Sequence, residues 1–141
     1  MKHLFFLILL NIVLTASDIN LHKVKLLETI MQEITLETEK SIWTDNKDLL
    51  YKLKEGKKLN IVNSCELANL IIVENSNLSR KCKNKKIFVL NYTLLSEIKT
   101  SFGALFWKKG RPNIIILEPR INKQSIKIKD NLNPYLEDKI W

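Results

Sequence analysis

A single compact α/β sandwich, with mostly parallel central strands and a C-terminal antiparallel hairpin, is the fold this sequence predicts. Three observations carry that expectation. Short, continuous apolar runs recur at Leu70 to Val73, Ile87 to Leu90 and Ile114 to Leu117, as in strands buried on both faces. Between them lie short segments of helical spacing, the alternation that builds parallel sheets. The stretch FGALFWKKGRPNIIILEPR, Phe102 to Arg120, reads as two strands joined by a charged turn, with Gly110 free to adopt a positive φ and Pro112 suited to a turn or to the first residue of a strand.

The elements follow in order. From Ile19 to Glu37, apolar residues Val24, Leu27, Ile30, Met31 and Ile34 recur at helical spacing, behind Asp18 or Asn20 as N-cap. Lys40 to Thr44 is a short strand around Ile42 and Trp43. Asp45-Asn46 then starts a helix over Lys47 to Glu55, closed by Gly56 in an αL cap. Leu59 to Val62 is a second short strand, Cys65 to Asn69 a turn of helix and Leu70 to Val73 an apolar strand. Ser76 to Lys85 is a polar, basic link. Ile87 to Leu90 is a strand and Thr93 to Ile98 a short helix, and the hairpin follows with Ala104 to Trp107 running in and Asn113 to Leu117 running out. Pro119 to Gln124 starts a helical turn, Ile126 to Ile128 alternates as an edge strand, and Asn133 to Asp138 makes a final helical turn.

Residues 1–17 read as a secretory signal peptide: Lys2 supplies the positive start, Leu4 to Leu14 an apolar run and Thr15-Ala16-Ser17 a small-residue exit. That run is short for a membrane span. Residues 18–141 then form one domain in the periplasm. The formal net charge is +8, spread along the chain with one cluster at Arg80 to Lys86, which favours anionic partners without choosing one. Export argues against nucleic acid.

Cys65 and Cys82 are the only cysteines. In an exported chain an even count reads as a disulfide. The alternatives are a redox pair, against which the spacing is not CxxC, and two metal ligands, against which no histidine or further cysteine lies nearby. No Gly-rich phosphate loop, GxSxG or HExxH occurs, so the expectation is a chain without catalytic residues, cofactor or metal. Glu66, Glu74, Glu97 and Glu118 are available for a carboxylate pair, but read more simply as solvated faces. His22, in the first turn of the first helix, receives no role. NLS at Asn77 and NYT at Asn91 match the glycosylation pattern, one that short segments meet by chance.

Recognition is better represented. Lys108, Lys109 and Arg111 sit on the hairpin tip beside Phe106 and Trp107, a composition common in interface hot spots. The plainer reading places Phe106 inward, Trp107 over a sheet edge and the cations as solubilising charges. Arg120 either pairs with Glu118 or Asp130, or holds an anion.

The order of elements in the second half, with the pattern G-A-x-F-W-x-x-G-R-P-x-I and the residues Gly103, Gly110 and Arg111, resembles the YfiR-like periplasmic regulators over roughly Leu70 to Glu137. The resemblance implies a compact α/β domain that restrains an inner-membrane signalling protein, typically a diguanylate cyclase. It also implies that Cys65 and Cys82 are the candidates for a competence-setting disulfide. The chain departs from that family in its short length, its one cysteine pair rather than two, and its first helix. The leading expectation is a non-catalytic periplasmic module acting on a membrane-anchored signalling protein, a diguanylate cyclase or sensor kinase, through Phe106, Trp107, Lys108, Lys109 and Arg111. The alternative is a small anion-binding protein using Arg80, Lys86 and Arg120 at the carboxyl ends of the strands.

Overall fold

A computed structural model describes residues 21–75 and 77–141; the segment read as a signal peptide and the N-cap candidates Asp18 and Asn20 lie outside the described residues. Six strands form the main sheet: β2 (Ile42–Thr44), β3 (Leu70–Val73), β4 (Lys86–Val89), β5 (Ser101–Lys108), β6 (Arg111–Leu117) and β8 (Leu136–Glu137), in the order β2-β3-β4-β5-β6-β8. The first four are mutually parallel, β5 and β6 form the antiparallel hairpin, and β8 runs parallel to β6. A second, two-stranded sheet pairs β1 (Ile34–Thr35) with β7 (Lys127–Ile128). The helices are α1 (21–32), α2 (Lys47–Gly56), α3 (Leu94–Glu97) and α4 (Glu118–Lys123), with 3-10 turns at Arg80–Cys82 and Asp130–Tyr135. The α/β class with a mostly parallel sheet is as the sequence predicts.

Strand alternation divides the core in two. Leu70, Ile72, Phe88, Phe102, Leu105 and Ile116 face α1, α2 and α4 in the larger cluster. Ile71, Val73, Ile87, Val89, Ala104 and Leu117 face the opposite way, onto α3, Ala68 and Cys82. Phe102 and Leu105 share a face although three residues apart. The reason is a bulge: Ile87 pairs with Ser101 but Phe88 with Gly103, so Phe102 is the extra residue and the alternation flips after it.

The chain doubles back once. After α2, Ile61 bridges Ile42 in parallel, with Ile42 N–H to Asn60 O and Val62 N–H to Ile42 O, both 2.9 Å. The segment carrying Val62, Cys65 and Ala68 then packs on the second face before β3 begins. Helix α2 and this return segment therefore cover opposite faces of the sheet. Cys65 and Cys82 form a disulfide with a Cα–Cα distance of 5.7 Å, within the usual range. It staples the segment before β3 to the turn before β4, so it ties down the connection between two neighbouring parallel strands.

Four local expectations need correction. The first helix stops near residue 32, because Ile34–Thr35 pairs with β7, the Glu33 carbonyl takes the Lys129 N–H at 2.9 Å, and the Lys40 ammonium caps the Met31 and Ile34 carbonyls. Gly56 is the last residue of α2 and not its left-handed cap; Lys57 holds that conformation, φ 54°. A Cβ at position 56 would meet the Glu28 carboxylate, the end of a flexible side chain that would have to move aside. Leu59 to Val62 contributes only the Ile61 bridge. The chain beyond Tyr135 is strand β8, and the helical turn lies before it.

Candidate functional site

The hairpin tip is tighter than the sequence suggests. Lys108 pairs with Arg111, leaving a two-residue turn of Lys109 (φ 52°) and Gly110 (φ 75°), the signature of a type I′ turn. Pro112 lies inside β6, opposite Trp107. In a two-residue hairpin the pair flanking the turn exchanges hydrogen bonds and the next does not, so the missing Pro112 donor would have pointed outward. The hairpin also outruns the sheet. On one side β4 reaches β5 only as far as Ala104, and on the other β8 touches only Ile116 and Leu117 of β6. Residues 105–108 and 111–114 are therefore ladder partners of each other alone.

Alternation decides what this ribbon presents. Phe106, Lys108, Arg111, Asn113 and Ile115 share one face. Trp107 and Ile114 lie on the other and pack against the larger core cluster. Phe106 stacks tilted on Tyr92, with ring centroids 5.1 Å apart. Tyr92 follows β4, and its hydroxyl donates to the Trp141 carbonyl. The Trp141 indole N–H donates to Glu137 Oε2 at 3.4 Å, and Lys139 Nζ lies 4.6 Å from its ring centroid. Together Tyr92, Phe106, Trp107, Lys108, Asn113, Ile115 and Trp141 line a cleft of about 610 Å³. A second hollow of about 420 Å³, lined by Lys108, Lys109, Arg111 and Asn113, adjoins it at the tip.

The charged side chains lining both hollows are cations, and the carboxylate beside them is Glu137, behind Trp141. Neither hollow has a carboxylate in its lining. Among the described residues the ion pairs are Lys23–Glu74, Lys52–Asp48 and Lys81–Glu66, none at the tip. Lys108 and Arg111 instead face each other directly across the ladder, a like-charge pair that weakens a hairpin. Elsewhere the hollows mix signs: between α1 and α2, Lys25, Lys52 and Lys57 stand with Glu28 and Glu55, and near β1, Lys40, Lys58 and Lys129 stand with Glu33 and Glu39.

The five hairpin residues expected to meet a partner are thus divided: Phe106, Lys108, Lys109 and Arg111 gather at the cleft and tip, while Trp107 borders the cleft but is anchored in the core. The three candidate anion ligands lie on separate elements. Arg80 opens a 3-10 turn, Lys86 opens β4 and Arg120 belongs to α4. Arg120 pairs with neither Glu118 nor Asp130. Its Nη1 donates to Leu95 O and Ser101 O at 2.8 Å, to Ser101 Oγ at 3.2 Å and to Ile98 O at 3.4 Å, and burial lowers its pKa. It fastens α4 to the end of α3 and the start of β5. Lys86 and the Ser101 contact of Arg120 mark the amino ends of parallel strands, not the carboxyl ends expected of an anion crevice. At the carboxyl ends of β2 and β3 stand carboxylates: Asp45 accepts the Glu74 and Asn75 N–H groups, each at 2.8 Å, and Asn46 donates to Glu74.

Sequence reasoning missed Tyr92, Asn113, Ile115 and Trp141. An aromatic directly after a strand was the available signal for Tyr92, but its meeting with Phe106 depends on the β4–β5 pairing. No protein-family model matches the chain, and no curated protein is similar to it at a significant level.

Proposed function

We propose that this chain is a non-catalytic interaction module of the periplasm, exported by its N-terminal segment, which docks on a membrane-anchored signalling protein through the free end of the β5–β6 hairpin. The observation that carries this reading is the mutually opposed Lys108 and Arg111 beside an aromatic cleft, without an ion-pair partner among the described residues. A hairpin selected only for folding gains nothing from that pair, whereas an anionic partner surface would neutralise both charges. The oxidising compartment is supported by the Cys65–Cys82 bond. The resemblance to YfiR-like regulators suggests restraint of an inner-membrane signalling protein, typically a diguanylate cyclase, as the action on that partner; a sensor kinase is the other class of partner proposed.

A charge reversal separates recognition from folding. Lys108→Glu places a carboxylate opposite Arg111, so it should stabilise the hairpin by about 0.2–1 kcal/mol at low salt while weakening capture of the partner in crosslinked envelopes. A more stable variant that captures less is the expected result. Undiminished capture would remove the hairpin end from the interface.

A further inference from the structure

We infer that the hairpin cleft takes an acidic segment of the partner protein that carries an apolar side chain flanked by carboxylates; this rests on the docking reading above and names the chemistry of the partner. The cleft and the tip hollow are neighbours that share Lys108 and Asn113 in their linings. One side chain of an extended peptide would lie against Phe106, Tyr92 and Ile115, and flanking carboxylates a few residues along the segment would reach Lys108, Lys109 and Arg111. Both parts are needed: the apolar floor offers nothing to a bare anion, and the tip cations repel a basic peptide.

The shape argues against a lipid surface as the occupant. Interfacial docking of a hairpin places its apolar groups at the outermost point. Here the exposed tip residues are Lys109, Gly110, Arg111 and Pro112, while Phe106 and Trp107 lie half-buried behind them, Phe106 against Tyr92; the exposed ring of the cleft, Trp141, sits on the segment after β8 and not at the tip. An added strand along β6 is disfavoured too, because Pro112 removes an outward donor and cations flank that edge.

The test is fluorescence anisotropy with the purified protein and three labelled synthetic peptides of equal length: a Leu-Phe pair flanked by glutamates, the glutamates alone, and the Leu-Phe pair flanked by lysines. Vesicles of phosphatidylglycerol and phosphatidylcholine form a fourth arm. The first peptide should bind saturably, weaken as salt rises, and lose about tenfold in affinity with Lys108→Glu; Arg111→Gln should act in the same direction and guards against an idiosyncratic charge reversal. Binding that is indifferent to peptide charge, absent for all peptides, or confined to the vesicles would overturn the assignment. If envelopes yield a hairpin-dependent partner while the acidic probe fails, the docking reading stands and the acidic assignment falls. Binding of the probe with no partner captured would have the reverse meaning.

Discussion

At the scale of single residues, two positions show how close contacts set this fold. Gly103 sits where a Cβ would lie 2.7 Å from Ile115 O, 2.9 Å from Ile116 Cδ1 and 3.1 Å from Phe88 Cε2. The first neighbour is backbone and cannot rotate away, so Gly103→Ala should cost about 1–3 kcal/mol, measured as a lower midpoint in urea. Lys40 offers a pH-dependent check. Burial, reinforced by the like charge of Lys129 and opposed by Glu33, lowers its pKa from the ordinary 10.5. Below pH 10.5, and down to that lowered value, the unfolded chain holds more protons at this site than the folded one. Its contribution to stability therefore rises with pH through that window and is unfavourable below it. Lys40→Met should flatten this rise in denaturation curves taken at stepped alkaline pH. An unaltered slope would mean the ammonium, held by the Met31 and Ile34 carbonyls, is not penalised by burial.

At the scale of elements, the disulfide and the hairpin have opposite characters. The Cys65–Cys82 bond closes a loop of sequence separation 17 between the entries to β3 and β4, with Cys82 fully buried. Cys65→Ser should lower stability by about 3 kcal/mol in the chain-entropy model, read as a depressed melting midpoint; unchanged melting would deny the bond a structural role. The hairpin projects beyond its neighbours and carries its own like-charge pair, so its tip contributes little to the global fold. Its base does contribute: Leu105, Trp107 and Ile114 pack with the main core. Truncating Trp107 would therefore confound folding with binding, and the tip charges are the cleaner place to intervene. The hairpin was legible in the sequence because Gly110, Pro112 and the β-branched run are local signals. The Phe102 bulge was not, since only the register against β4 reveals it. Gly56 misled because α2 runs through it and places the left-handed cap one residue later, on Lys57.

At the scale of the whole molecule, the α/β class and the parallel centre follow from apolar runs alternating with short helices, a pattern written along the chain. The strand order does not. The doubling back at Ile61 and the late return of β8 to the outside of β6 bring together segments far apart in sequence, and neither has a strong local pattern. The same limit applied to the candidate site. Phe106, Lys108, Lys109 and Arg111 were legible as an aromatic-cationic tip, whereas Tyr92 and Trp141 join it only once β4, β5 and the segment after β8 are assembled. The result is a molecule in which the tip cations Lys108, Lys109 and Arg111 and an aromatic cleft coincide at one end of the sheet.

Site-specific photocrosslinking in intact envelopes tests that coincidence most directly. A photoreactive residue at Asn113, in the floor shared by both hollows, is compared with one at Tyr51, exposed on α2. One dominant membrane-protein adduct from position 113 and none from 51 is the predicted result. Adducts from 51 with none from 113 would place the interface elsewhere and contradict the account.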